Sequence, residues 1–302
     1  MENFILIGAY LIIGKLLQKV RKFPENTGEV LNLYVIYIAL PALVLEKVPS
    51  LVFSSELLVP AILPWLLLLA TVAVILLLAK ALGWNRGTVG ALLICVPLGN
   101  TSFIGLPMID AFYGAKGIPY GVLYDQVGSF LALAIYATII AAAYSDQQQR
   151  PSAAQITKRI VIFPPFIALV AALILRDWQY PGPMQTLVNT LASTLVPVIM
   201  VAVGFQLKFR LPKEHRGPLA MGLVLKLVFM PLLALALVYP FGIEGLATQV
   251  SLLEAAMPSM ISAGAIAIMA GLAPTLAAAL IGYGIIFCFI SLPLFYALIQ
   301  WL

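Results

Sequence analysis

Ten stretches of predominantly apolar residues, each about long enough to cross a bilayer, follow one another along the chain with little sequence between them. A helix needs about 20 such residues to span the hydrocarbon core, because each residue adds about 1.5 Å to its length. Backbone polar groups find no partners in lipid and must be satisfied within helices. The sequence therefore predicts an all-α polytopic membrane protein. The ten transmembrane helices, called spans 1 to 10 below, are predicted at 3–20, 30–48, 56–82, 89–113, 118–144, 160–176, 184–207, 217–240, 246–270 and 276–301.

The composition excludes an ordinary soluble enzyme. Of the 302 residues, 63% are hydrophobic and 10% are charged, against about 45–50% apolar and 25% charged in soluble domains. Two cysteines in apolar stretches and one histidine in a basic loop predict no disulfide, no organic cofactor and no zinc or haem site. The sequence has no HExxH, no Gly-x-Ser-x-Gly and no paired catalytic aspartates, so we expect no enzymatic activity.

The net charge of +5 is distributed as a topology signal. Most of the 17 Lys and Arg residues lie in the first, third, fifth and seventh connections between spans. Connections rich in Lys and Arg stay on the cytoplasmic side. We therefore expect a protein of the cell (inner) membrane with both termini outside the cytoplasm, and no nucleic-acid partner.

The chain divides into two halves of five spans each. The predicted domains are a first repeat at 1–144, a polar cytoplasmic linker at 145–159 and a second repeat at 160–302. An odd number of spans in each half means that any repeat is inverted in the membrane.

Prolines in corresponding spans support this five-plus-five inverted repeat. Pro41 in span 2 would match Pro197 in span 7, and Pro107 in span 4 would match Pro258 in span 9. Interrupted helices at corresponding places of two halves indicate a transporter binding site between them. The alternative is that the prolines are unrelated, since proline is common in membrane helices.

The stretch from Gly99 to Pro107 is predicted to unwind in the middle of span 4. It holds Asn100, Thr101 and Ser102 between two glycines, and Pro107 cannot donate a hydrogen bond to the carbonyl of the preceding turn. Unwound backbone at membrane depth is tolerated only where protein or water satisfies it, so this segment should line a polar cavity. The alternative is a tolerated kink whose amide side chain bonds a neighbouring helix.

Three runs of sequence, at 32–42, 99–107 and 258–275, resemble the auxin efflux carrier family, which includes the plant PIN-FORMED carriers and bacterial relatives. The resemblance covers essentially all ten spans. It implies a five-plus-five inverted repeat with interleaved scaffold and transport subdomains, crossed and interrupted helices 4 and 9, and a homodimer. It also implies an organic anion as substrate, from auxin in plants to small carboxylates in bacteria. The chain lacks the long cytoplasmic loop of many plant members, which favours a prokaryotic carrier.

Glu254 is predicted to bind a coupling cation. It lies four residues before Pro258, whose missing N–H should leave the Glu254 carbonyl unpaired beside its own carboxylate. A similar glutamate binds sodium in the structurally related bacterial bile-acid symporters, which favours sodium slightly over a proton. The alternative is a carboxylate neutralised by Lys226.

Asp125 and Lys226 also lie inside predicted spans, where ionised groups are costly. Asp125 is predicted to be a second cation or proton site, or else a solvated acid near the start of its helix. Lys226 is a candidate contact for an anion, or else extends toward the cytoplasmic surface. Glu46, Lys47 and Asp110 lie near helix ends, and no role is predicted for them.

The sequence thus predicts a secondary active transporter of a small organic anion that works by alternating access. The rival predictions are a sodium/proton antiporter of the NhaA type, although no Asp-Asp pair occurs, and a membrane sensor without transport. The residues predicted to bind substrate are Asn100, Thr101, Ser102, Pro107, Gln126, Pro258 and Ser259. The residues predicted to bind the cation are Glu254, Asp125, Asn100 and Thr101.

Overall fold

The computed structural model describes residues 2–51, 54–145, 152–178, 180–207 and 215–302. These residues form helices and, apart from one isolated β-bridge, no strand. Several helices include π-helical or 3₁₀ turns. The helices are α1 (Glu2–Leu17), α2 (Thr27–Ser50), α3 (Ser55–Leu82), α4 (Arg86–Cys95), α5 (Leu106–Tyr113), α6 (Ile118–Tyr144), α7 (Ala153–Val161), α8 (Pro164–Ile174), α9 (Gly182–Gln206), α10 (Arg216–Phe241), α11 (Leu246–Ala255), α12 (Ile261–Met269) and α13 (Pro274–Trp301).

Six of the described helices are long and apolar enough to cross a membrane, namely α2, α3, α6, α9, α10 and α13. The bent pair of α7 and α8 would make a seventh, and α1 and α4 are shorter apolar helices. Every predicted span contains at least one helix. The count of ten transmembrane helices and the inverted repeat stay predictions.

The predicted linker at 145–159 is partly helical. Residues 146–151 lie outside the described residues, but α7 begins at Ala153. α7 and α8 meet at a bend of 61°. Phe163 has extended backbone angles because it precedes Pro164, and a residue before proline is driven out of the helical region. Span 6 therefore begins with a bent helix pair where the sequence predicted one straight helix. The basic connection after α9 lies at 208–214, also outside the described residues.

The chain forms two compact units, and each contains segments from both halves of the sequence. Unit 1 consists of Met1–Ser54, Ser102–Val122 and Lys158–Leu207. Unit 2 consists of Ser55–Thr101, Leu123–Thr157 and Lys208–Leu302. The boundaries predicted for the two sequence repeats are a different division and stay a prediction.

In unit 1, α1 packs directly against α9. A Cβ atom on Gly14 would overlap the Val201 carbonyl, and one on Gly204 would overlap the Leu11 carbonyl. Helices approach this closely only where glycine removes the side chain. At the ends of both helices, Lys15 Nζ donates a hydrogen bond to the Leu207 carbonyl at 2.7 Å. The carboxyl ends of α1 and α9 therefore lie side by side, and the two helices run parallel.

In unit 2, α4 is buried along its length against α12 and α13. Its apolar side chains join small residues of α12 and α13 in one hydrophobic core, and Leu92, Ile94, Ala263 and Leu280 are fully buried there. This packing fixes the end of α4, where the chain leaves the helix.

Candidate functional site

Two helix ends in unit 2 lie side by side and complete each other's hydrogen bonding. α4 ends at Cys95 and α11 ends at Ala255, and the segments that follow form an antiparallel bridge between Gly99 and Ser259. The Asn100 N–H donates to the Pro258 carbonyl at 2.8 Å, and the Met260 N–H donates to the Leu98 carbonyl at 2.9 Å. Two interruptions more than 150 residues apart thus satisfy backbone groups that neither helix could satisfy alone.

The first interruption lies earlier than predicted. The chain is non-helical from about Val96 to Asn100, and Thr101–Gly105 then forms a π-helical turn that leads into α5. Pro97 causes the break because it has no N–H to donate to the Leu93 carbonyl. That carbonyl accepts a hydrogen bond from Tyr136 Oη instead, at 2.8 Å. Pro107 lies beyond this break, at the start of α5, and its predicted match with Pro258 stays a prediction.

The Glu254 carboxylate is buried without a partner. Its side chain is 1% exposed, and neither oxygen accepts a hydrogen bond from any described residue. The expectation that Pro258 leaves the Glu254 carbonyl unpaired is wrong. The helix tightens at its end, and the Met257 N–H donates to this carbonyl at 3.1 Å. The oxygens that Glu254 offers to a ligand are therefore those of its side chain.

Lys226 is buried as completely as Glu254, with 1% of its surface exposed. Its Nζ atom lies 3.5 Å from the Met230 sulfur, which is a weak acceptor. It forms no ion pair with Glu254 at 4.0 Å or less, both residues being among those described. The alternative that Lys226 extends to the membrane surface is excluded by its burial. Gly99 makes room for it, because a Cβ there would lie 3.3 Å from Nζ.

Hydrogen bonds from Thr101 and Gln126 hold Asp125. The Thr101 hydroxyl donates to one carboxylate oxygen at 2.5 Å, and Gln126 Nε2 donates to the other at 2.7 Å. The Asp125 side chain is 1% exposed, which excludes the alternative of a solvated acid. Thr101 therefore connects the interrupted fourth span to α6.

A small cavity in unit 2, called the buried cavity below, is lined by Glu254 and Lys226 but not by Asp125. It has room for about one water molecule, at ≈ 10 Å³. Glu254, Lys226, Thr101 and Gly99 line it, together with Ser129 and other residues of α6. The sequence analysis missed Ser129. Its position four residues after Asp125, on the same side of a helix, is the signal that would have found it.

Four of the buried polar side chains share a local backbone feature, although Glu254 lies in the regular helix α11. Thr101, Asp125 with Gln126, and Lys226 each lie in a π-helical turn, at Thr101–Gly105, Tyr124–Phe130 and Leu225–Phe229. Such turns occur frequently at functional sites in α-helices. The coincidence of three π-helical turns with the buried polar residues marks this part of unit 2 as the candidate site.

Comparison with known proteins identifies the family of the chain. The sequence profile of the family described as "Membrane transport protein" matches residues 4–296. The chain belongs to this family. The match confirms the resemblance to the auxin efflux carrier family, and with the apolar helices it makes the chain a multi-pass membrane protein.

Two archaeal members of the membrane transport protein family are similar along most of their length. An uncharacterized transporter of Methanothermobacter thermautotrophicus is 27% identical over 299 residues, which cover 97% of this chain and 96% of the relative. An uncharacterized transporter of Methanocaldococcus jannaschii is 26% identical over 272 residues, which cover 86% of this chain and 85% of the relative.

The structure divides the predicted substrate-binding residues of this family member between the two units. Asn100, Thr101, Gln126, Pro258 and Ser259 belong to unit 2, near the bridge and Asp125. The Gln126 carbonyl oxygen and the Ser259 hydroxyl have no hydrogen-bond partner among the described residues. Ser102 and Pro107 belong to unit 1.

Pro107 lines a second and larger cavity, called the unit 1 cavity below, of ≈ 340 Å³. Its charged lining residues are Glu46, Lys47 and Asp110, for which the sequence predicted no role. Neither cavity is a cluster of metal ligands: no group of three or more His, Cys, Asp or Glu that could hold a metal ion occurs in the described part of the chain.

Proposed function

We propose that this protein is a secondary active transporter that moves a small carboxylate by alternating access and couples its movement to a cation, sodium in preference to a proton. The single observation that carries the proposal is the Glu254 carboxylate, buried at the paired helix interruptions with neither oxygen bonded to another described residue. An unpaired buried carboxylate is costly to maintain, and a cation that binds it removes that cost.

The oxygen atoms near the buried cavity suit sodium. Hard cations are bound by carboxylate, carbonyl and hydroxyl oxygens. Glu254 lines the cavity and has two carboxylate oxygens without a partner among the described residues, and Thr101 and Ser129 line the same cavity and carry hydroxyl groups. Asp125 supplies a second carboxylate, which accepts a hydrogen bond from the Thr101 hydroxyl. The side chain of Asn100, the residue before Thr101, is also buried. A proton would need only one of these carboxylates, so sodium accounts for more of the arrangement.

Charge balance couples the cation to the substrate. With Asp125, Glu254 and Lys226 all ionised, the site carries one net negative charge, which repels an arriving carboxylate. One bound sodium ion brings the sum to zero and leaves the Lys226 ammonium group as a contact for the anion. Each ligand then raises the affinity of the other, as linkage requires.

The substrate would bind beside the cation, at the interrupted helices. Asn100, Gln126 and Ser259 supply amide and hydroxyl groups there, and two of these side chains have polar atoms with no partner in the described chain. The other residues that we assign to the substrate path are Thr101, Ser102, Pro107 and Pro258. Helix N-termini that follow such breaks attract carboxylates.

Binding measurements at fixed pH test whether sodium is the coupled cation. Carboxylate affinity of the purified chain is measured in sodium and again with sodium replaced by choline, in the native protein, in Glu254→Gln and in the control Glu29→Gln. Glu29 is a surface acid at the start of α2. We expect tighter binding in sodium for the native protein and the control, and no sodium effect in Glu254→Gln. An affinity that follows pH but not sodium would assign the coupling to protons, and one that ignores both would make Glu254 structural and the protein a uniporter.

We also propose a homodimer in the inner membrane, on the resemblance to the auxin efflux carrier family. Light scattering of the detergent-solubilised protein should give twice the chain mass of 32.5 kDa after subtraction of the detergent. A mass of one chain at all protein concentrations would contradict the dimer and leave the transport proposal unaffected.

A further inference from the structure

The unit 1 cavity has the size and lining of a small-molecule site, and it shares no residue with the buried cavity. All its lining residues belong to unit 1, and they come from α1, α2, α5, α6 and α9. Its volume of ≈ 340 Å³ falls within the range of about 300–1,000 Å³ that is typical of ligand pockets.

One carboxylate in this cavity is available to a ligand. The Asp110 carboxylate accepts no hydrogen bond and forms no ion pair at 4.0 Å or less with any described residue. The other charged lining residues, Glu46 and Lys47, are paired with each other at 2.6 Å. The ammonium group of Lys47 has three donors, so this pair leaves donors for a second acceptor.

A neutral donor adds to the polar wall. The side-chain oxygen of Asn189 accepts a hydrogen bond from Gln185 Nε2 at 2.7 Å, and its amide nitrogen has no partner among the described residues. Tyr10 and Ser193 also line the cavity, and the remaining lining is apolar, with Leu6, Ile7 and Leu43 among the side chains. The cavity thus combines one free carboxylate, one partly engaged ammonium group and an apolar wall.

The net charge of the lining decides which ligand fits. Glu46 and Asp110 against Lys47 leave one negative charge, which repels a ligand that carries only a carboxylate. A ligand with an ammonium group beside its carboxylate fits this lining. Asp110 would accept a hydrogen bond from the ligand's ammonium group, and Lys47 would donate one to the ligand's carboxylate. We propose that the unit 1 cavity binds a small zwitterion of the α-amino acid class, with its side chain against the apolar wall.

This inference stands on unit 1 alone and does not need the cation site proposed for unit 2. The binding test is therefore made in a buffer in which choline replaces sodium, so that sodium coupling cannot contribute. Dissociation constants of the purified full chain are measured for two matched pairs that differ only in ammonium against hydroxyl: alanine with lactate, and leucine with 2-hydroxy-4-methylpentanoate. Asp110→Asn tests the proposed ammonium contact, and Asp177→Asn, an exposed acid of the same unit, is the control.

We expect at least one amino acid to bind about tenfold more tightly than its hydroxy acid, and Asp110→Asn to remove that difference while Asp177→Asn preserves it. The comparison within each pair needs no variant, so it holds even if Asp110→Asn fails to fold. Equal affinity within both pairs, no binding of either amino acid, or an unchanged preference in folded Asp110→Asn would overturn the proposal. Sodium-dependent carboxylate binding that is lost in Glu254→Gln would still support the transport function after such a result.

Discussion

At the scale of single residues, the buried charged groups are energetically unfavourable in a membrane. Each ionised side chain at the bilayer centre costs about 2.5–3.5 kcal/mol on insertion scales. Asp125 reduces that cost with hydrogen bonds from Thr101 and Gln126, whereas Glu254 accepts none from the described residues. Among the described residues, Lys226 has only the Met230 sulfur within hydrogen-bond distance. We propose that a ligand completes the hydrogen bonding of Glu254 and Lys226.

Asn100 gives a test at this scale, because its backbone and side chain have separable roles. The backbone N–H makes the bridge to Pro258 at 2.8 Å, and this bond does not need the side chain. We expect Asn100→Ala to keep the fold, with a loss of about 0.5–1.5 kcal/mol of stability, and to abolish or strongly reduce transport. Uptake into proteoliposomes and the melting temperature measure the two effects.

The control is Asn26→Ala, since Asn26 is exposed and its side chain does not cap α2. This variant should transport normally. Normal transport by Asn100→Ala as well would show that the amide takes no part in the substrate path.

At the scale of helices, close packing of α1 on α9 depends on glycine. Gly14 and Gly8 lie on the same helix, but a Cβ on Gly14 would overlap the α9 backbone, whereas one on Gly8 would meet nothing within 4 Å. We expect Gly14→Ala to destabilise the protein by about 1–3 kcal/mol, because rigid backbone cannot move aside. Gly8→Ala should be neutral or stabilising by up to about 1 kcal/mol, since alanine favours the helix.

Thermal unfolding of both variants in the same detergent measures the difference. Equal melting temperatures for Gly14→Ala and Gly8→Ala would mean that α1 and α9 do not approach as closely as the structure places them.

At the scale of the whole molecule, the open question is orientation in the membrane. The parallel arrangement of α1 and α9 agrees with the prediction that spans 1 and 7 cross in the same direction, since six crossings separate their starting points. We propose that both termini lie outside the cytoplasm. Cysteines replacing Gln148 and Glu214, both outside the described residues, should then label only from the cytoplasmic side.

The labelling background lacks Cys95 and Cys288, which are both buried. A cysteine replacing Lys116, in the connection between α5 and α6, is the control and should label from outside. Labelling of either cytoplasmic position from outside intact cells would contradict the proposed orientation and, with it, the inverted repeat.

The sequence by itself determined the apolar segments, the family and most of the buried polar residues. Hydropathy located the apolar segments because insertion into lipid depends on the composition of each segment taken alone. Glycine and proline located the break in span 4 to within a few residues, since both act on their own backbone and on the adjacent turn. Asp125, Lys226 and Glu254 were recognisable because charged residues are rare inside apolar stretches.

Only the tertiary structure decided how these residues meet. Gly99 and Ser259 form a bridge across more than 150 residues of chain, and no local preference specifies that pairing. The π-helical turns at Thr101, Asp125 and Lys226 depend on how neighbouring helices pack. The sequence shows only that Glu46, Lys47 and Asp110 lie near helix ends. The tertiary structure shows that these residues of α2 and α5 line one cavity. Contacts between distant segments depend on packing and loop closure, which hydropathy and local propensity do not encode.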